Sequence, residues 1–419
     1  MKKSIALAFS ALLATAAGAQ MVTDSVVMGS GYANQIWYSM ADDEQGSSPK
    51  KNWDIAFEIN SITSSILLNT ATGNQAWVYG NGDTADWATV DTAGILSWNN
   101  LYNSITSWSE GAFNTTYDPG NPNDLGWGEY NMSTHVITGD SIYIIKLANG
   151  DYKKLWIQNL SSSTYNFKYA DLDGSNEAQK SIAKSAFTGK NFGYFSFGTG
   201  NSVNREPNAT DWDITFTQYT QVFYIPQPYP QTVTGVLGNK NTGIIKAYPV
   251  NDPMTEESYN PANFTDEINA IGYNWKAFDN NTMSYSIADS TVYFIKDANA
   301  DVWKLVFTKF TSSTGTTVFA KKKLTGANGI FNAEAKSSFF TVYPNPSAGS
   351  VNIITSNING DAVVTVSDLQ GRKVFSKNIS AGENLDVQPV TLDELSAGVY
   401  TVTITAGNIS ATEKLVINK

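Results

Sequence analysis

His135 is the only histidine among 419 residues, and the chain has no cysteine. One histidine admits at most one His-dependent catalytic site and excludes any site needing two histidines from one chain. Without cysteine there is no disulfide, thiol nucleophile, Cys-ligated zinc, iron–sulfur cluster or lipid anchor on an N-terminal cysteine. A Ser-His-Asp hydrolase would have to run through His135, and no Gly-x-Ser-x-Gly elbow accompanies it. A glycosidase pair has 25 Asp and 13 Glu to draw on, but a sequence does not give their separations. Asp171-x-Asp173-Gly174-x-x-Glu177 and Asp297-x-Asn299-x-Asp301 resemble fragments of calcium loops; neither has the full ligand set, and turn chemistry accounts for both. No Gly-rich phosphate loop follows a strand and opens a helix. The expectation is a non-enzymatic protein without a metal site.

Composition narrows the partners. Lys plus Arg number 27 and Asp plus Glu 38, a net of −11. Lys2 and Lys3, the apolar run Ile5 to Ala14 and the small residues Ala17-Gly18-Ala19 predict a signal peptide over residues 1–19, with Gln20 the first mature residue. Its removal leaves 25 basic against 38 acidic residues, a net of −13. Nucleic acid needs a basic footprint, so it is not an expected partner. No later stretch is apolar for long enough to predict a transmembrane helix. Eleven Trp, 21 Tyr and 20 Phe against 16% charged residues describe a folded chain, long enough for two or three domains.

The elements that must position these residues are strands. Ser141 to Lys146, Thr291 to Ile295 and Val302 to Phe307 are short, β-branched and aromatic, and bounded by Asn, Asp and Gly. Asn149-Gly150 predicts a hairpin turn. Helical patterning is confined to Asn176 to Phe187 and Thr265 to Ile271, the latter opened by a Thr cap and closed at Gly272. An internal repeat organises the body: Asn131 to Lys146 lies without gaps on Asn281 to Lys296, which sets His135 opposite Tyr285. Upstream, Trp53-Asp54-Ile55-Ala56-Phe57 echoes Trp212-Asp213-Ile214-Thr215-Phe216. The offsets, 150 and 159, differ by an indel of nine residues. Two such copies predict two related β lobes, residues 20–190 and 191–324, with Trp, Ile and Phe of each motif on one face and Asp turned outward.

All eleven Trp lie at or before Trp303. After a Gly/Asn/Ala/Ser-rich linker, residues 325–338, the tail over 339–419 shows short alternating strands spaced as in a small β-sandwich. It carries Val342-Tyr343-Pro344-Asn345-Pro346, then Asp368-Leu369-x-Gly371-Arg372, then Leu395-x-x-Gly398-x-Tyr400, and ends in Lys414-Leu415-x-Ile417. This ordered series resembles the C-terminal sorting domain of the type IX secretion system of Bacteroidota. The resemblance implies engagement of that secretion machinery, passage across the outer membrane, and release or attachment at the cell surface.

The body resembles the HmuY-like proteins over roughly residues 28–324, through Gly31-Tyr32-Ala33-Asn34-Gln35-Ile36-Trp37-Tyr38-Ser39-Met40, the two Trp-Asp-Ile motifs, Gly235-Val236-Leu237-x-Asn239 and Ile271-Gly272-Tyr273-x-Trp275-Lys276. That resemblance implies an all-β fold of antiparallel sheets and the capture of haem or porphyrin, with side chains holding iron from both faces. Bis-histidine ligation within one chain is excluded here. What is left is a His135–Met or a Met–Met pair, with Met132 and Met283 the methionines singled out. The alternative expectation is a surface glycan-binding or adhesion protein that uses exposed aromatics as stacking platforms.

Overall fold

In the computed structural model, β-branched and aromatic runs pair into antiparallel ladders, and among the described residues helix is limited to short 3-10 turns. The structure describes residues 21–59, 63–224, 227–324 and 339–419, except 344, 346, 348, 357–359, 369, 382–385 and 407–408 within the last range. The predicted signal peptide, the linker, and Pro344, Pro346 and Leu369 of the tail motif lie outside the described residues. The described chain forms two compact units, one through residue 324 and one from residue 339.

The first unit opens with β1 (Val22–Val27), β2 (Asn34–Ser39) and β3 (Asp43–Pro49). There follow β4 (Ile55–Glu58), β5 (Ile66–Leu68), β6 (Gln75–Val78), β7 (Gly128–Asn131), β8 (Val136–Gly139), β9 (Ile142–Lys146), β10 (Tyr152–Ser161), β11 (Thr164–Asp171), β12 (Ala178–Ala183), β13 (Phe192–Ser196) and β14 (Asn201–Val203). The unit ends with β15 (Ile214–Tyr224), β16 (Pro228–Gly238), β17 (Gly243–Ala247), β18 (Lys276–Asp279), β19 (Ser284–Ile287), β20 (Val292–Lys296), β21 (Val302–Thr311) and β22 (Thr316–Lys323).

Strand pairing nests one lobe inside the other. One four-stranded sheet has the order β14-β13-β4-β5 and its counterpart the order β16-β15-β2-β3. β10-β11-β12 are matched by β21-β22-β1. The inner copy therefore runs continuously from β4 to β14. The outer copy begins at β15 and borrows its last three strands, β1 to β3, from the start of the chain. The cores agree: one cluster contains only residues between Ile55 and Phe197, and the other combines Val26 to Met40 with Ile214 to Phe319. The expected boundary at 190/191 thus does not divide the cores, because residues before Trp53 pack with the later copy.

Three local expectations are corrected by the pairing. Asn176 to Phe187 is β12 plus a 3-10 turn, because β11 offers a ladder partner from Ala178 to Ala183 that outweighs its weak helical pattern. In Thr265 to Ile271 the Thr265 hydroxyl does accept the Glu267 N–H at 3.2 Å, but Thr265 also bridges Ile244, so the cap signal makes a turn rather than a helix. The Asp residues of the two motifs do not face solvent. Asp54 Oδ2 accepts the Phe197 N–H and Asp213 Oδ2 the Met40 N–H, each at 2.7 Å. The strands begin only at Ile55 and Ile214, so their alternation does not reach back to the Trp residues. Trp53 packs with Ala56 while Ile55 and Phe57 face the inner core.

The second unit contains β23 (Phe339–Tyr343), β24 (Ser350–Ser356), β25 (Gly360–Ser367), β26 (Lys373–Ala381), β27 (Asp386–Thr391), β28 (Gly398–Ala406) and β29 (Ile409–Ile417). They make a three-stranded sheet, β23-β24-β27, and a four-stranded sheet, β26-β25-β28-β29, that share one apolar core. The tail motifs have local roles. Asp368 accepts the Arg372 N–H at 2.9 Å across a turn that needs Gly371 at φ 77°, and Asn345 accepts the Val416 N–H at 2.9 Å, tying the unit's entry to its last strand.

Candidate functional site

The two copies face each other across a cleft whose walls come from several segments. Trp53, Asn69, Trp108, Tyr194 and Glu206 line it from the inner lobe, and Trp37, Trp212 and Tyr219 from the outer. Trp108 reaches across and donates its indole N–H to the Gly238 carbonyl at 2.8 Å. The cleft holds about 580 Å³ of space between its walls, open solvent at its mouth included.

Its floor is rigid. Arg205, buried, donates to Asn52 Oδ1 at 3.0 Å, Gln35 Oε1 at 2.7 Å and the Pro49 carbonyl at 3.1 Å. The guanidinium also lies 5.1, 5.6 and 5.0 Å from the ring centres of Trp37, Trp53 and Tyr194, a desolvated cation–π cage. Glu206, fully buried, accepts the Phe192 N–H at 2.8 Å and the Tyr194 hydroxyl at 2.7 Å, and burial pushes its carboxyl up. These groups satisfy one another, so they hold the aromatic walls in place rather than offering an acid or base. Glu58, also buried, pairs with Lys240 and so joins the lobes.

Three lining atoms behave differently. Asn69 Oδ1, Trp212 Nε1 and the Tyr219 hydroxyl are buried with no hydrogen-bond partner. Asn69 and Trp212 are 1% and 3% exposed. A buried polar atom without a partner costs on the order of 1–3 kcal/mol, and three of the eight such atoms among the described residues belong to side chains of this cleft. The Asn69 oxygen is assigned by its neighbours: Nδ2 donates to the carbonyls of Lys50 and Trp53 at 2.7 and 2.8 Å, which leaves the oxygen without a donor.

The residues named as iron ligands lie elsewhere. His135 and Met132 stand exposed at the tip of the β7–β8 hairpin, where Tyr130 Oη lies 2.7 Å from His135 Nδ1. Met283 is 73% exposed at the tip of β18–β19. Ladder pairing ends at Asn131↔Val136 in one hairpin and Asp279↔Ser284 in the other, so Met283 rather than Tyr285 is the counterpart of His135. Both adopt positive φ, 58° and 51°. The gap-free alignment is two residues out at the tips because the sister lobe carries two extra residues between β19 and β20. None of the three lines the cleft.

The acidic motifs are committed to turns. Asp171 pairs with Lys153 and accepts from Asn176 at 2.6 Å, Glu177 accepts the Trp87 indole at 2.7 Å, and Asp297 caps its own turn through Asn299 and Asp301 at 2.9 Å. Among the described residues no group of three or more His, Asp or Glu is placed to hold a metal, and no helix is long and apolar enough to cross a membrane. Trp37, Trp53 and Trp212 belong to motifs visible in the sequence, where they read as core; Asn69 and Trp108 carry no local signal, since only the nesting of lobes brings them together.

Residues 341–418 match the family described as the secretion system C-terminal sorting domain. No curated protein matches the chain. One similar solved structure is that of PorZ, a surface component of the type-IX secretion system of Porphyromonas gingivalis, at 11% identity over 69% of this chain and 41% of that one, with a TM-score of 0.16. Another is the ectodomain of the C. elegans fusion protein EFF-1, at 7% identity over 95% and 96%, also with a TM-score of 0.16. The match to PorZ spans about two-fifths of its length, and overlap this low establishes no shared fold. The sorting domain marks the chain for secretion and cell-surface attachment.

Proposed function

We propose that the chain, exported by its sorting domain, is a non-enzymatic surface binding protein that takes a carbohydrate in the cleft between its nested lobes. The observation that carries this reading is the aromatic lining of the cleft, with Trp53, Trp108 and Tyr219 on its walls and the amides of Asn103 and Gln218 between them. Sugar hydroxyls both donate to and accept from such amides, and the flat rings of Trp53 and Trp108 suit the apolar faces of a sugar ring.

Haem capture, which the HmuY-like resemblance of residues 28–324 implies, fits the residues less well. Haem needs a flat apolar slot with donors aimed into it, and His135, Met132 and Met283 stand on solvent-facing hairpin tips. The test is direct: the purified full chain is screened on a glycan array and titrated with haem. Glycan binding without a Soret shift supports the proposal. A Soret shift lost in His135→Ala, with no glycan bound, overturns it.

A further inference from the structure

The hairpin β15–β16 runs on for several residues beyond the cleft. Thr215 pairs with Leu237 and with Trp37, so this face of the ladder is the cleft wall. Alternate side chains share a face, and the register carries that wall outward through three cross-strand pairs: Tyr219↔Val233, Gln221↔Gln231 and Phe223↔Tyr229. Aromatic rings thus recur on either side of a pair of amides. Tyr273 closes the stripe from the neighbouring segment, its ring 6.2 Å from Phe223 and near perpendicular to it. Tyr229 is 58% exposed. From Tyr219 to Phe223 is about 14 Å along a strand.

We infer that the Tyr219–Phe223–Tyr229 stripe is a second subsite that receives further units of a sugar chain whose first unit enters the cleft, so that the protein selects oligosaccharides over monosaccharides. This rests on the proposed carbohydrate reading of the cleft. The ladder continues the cleft wall without a register shift, and the stripe sets a pair of amides between aromatic rings. A chain lying along it gains contact with each added unit until the stripe ends.

The full chain is titrated with β-glucan, α-mannan and chitin oligosaccharides of one to six units by isothermal calorimetry, alongside Phe223→Ala and Tyr229→Ala. Affinity for the chosen series is expected to rise at least tenfold from one unit to four, and each substitution to remove most of that rise while leaving the shortest binding sugar unaffected. Tyr229 is exposed, so its variant folds. If short and long sugars bind equally, or the substitutions leave the length dependence intact, the second subsite is wrong and the cleft stands. If no sugar of any length binds, the cleft reading fails and takes this inference with it.

Discussion

Asn69 and Asn239 occupy the same position in the two nested copies, and only one of them has a satisfied side-chain oxygen. Each amide donates to the carbonyl of its motif tryptophan, Asn69 to Trp53 at 2.8 Å and Asn239 to Trp212 at 2.7 Å. Each also donates at 2.7 Å to a second carbonyl, of Lys50 and Ala209 respectively. Asn239 Oδ1 then accepts from Asn191 at 2.8 Å, whereas Asn69 Oδ1 accepts from nothing. The symmetric scaffold is broken at the cleft.

That asymmetry predicts unequal costs. Asn239→Ala strands two buried carbonyls and the Asn191 amide, a loss of about 3 kcal/mol, while Asn69→Ala strands two carbonyls and relieves an orphaned acceptor, a loss of about 2 kcal/mol. Urea denaturation of the two variants checks the order; a larger loss for Asn69→Ala would contradict it.

Burial raises the Asp213 carboxyl to about 6, above the value near 3.9 of an unfolded aspartate. The folded state therefore holds that proton more tightly than the unfolded chain. This contribution to stability is complete below about pH 4 and is lost as pH rises through about 6. Asp213→Asn, which carries no titrating charge, should gain stability relative to the parent between pH 4 and pH 7. Thermal melts at the two values measure the change, and a pH-independent difference would count against the buried carboxylate.

Because β1 to β3 complete the outer lobe, removal of residues 21–50 should unfold that lobe and spare the inner one. Limited proteolysis is expected to leave a protected fragment near residues 53–206 and to degrade β15 to β22. Protection of both lobes in the truncated chain would mean that the nesting is not required for stability.

The sorting unit has a core of its own. A chain ending at residue 338 should retain the melting behaviour of the first unit yet fail to reach the cell surface. Fractionation of cells expressing it decides the point, with normal surface delivery the contrary result.

Much of this architecture was legible in the sequence, and the reasons differ by element. Alternation and turn residues announced the strands, as in Val302 to Phe307 and the Asn149-Gly150 hairpin, because cross-strand burial leaves a period of two. The tail motif was legible because Asp368, Gly371 and Arg372 build one local turn. The nesting was not, since a repeat shows that two copies exist but not that β1 to β3 pair with β22, β15 and each other across nearly the whole body. The cleft was hidden for the same reason: Asn69, Trp108, Trp212 and Tyr219 are brought together only by long-range pairing. His135 drew attention by its rarity, and rarity carries no information about where a hairpin tip points.

The assignment of the cleft is tested most directly by the indole N–H signals of the tryptophans, followed by nuclear magnetic resonance as the full chain is titrated with an oligosaccharide that it binds. The Trp212 signal should move, because its ring lines the cleft, while that of Trp127, bonded to the Ser64 carbonyl at 3.0 Å within the inner core, should stay in place. Saturable sugar binding that leaves Trp212 unmoved would place the ligand elsewhere on the protein.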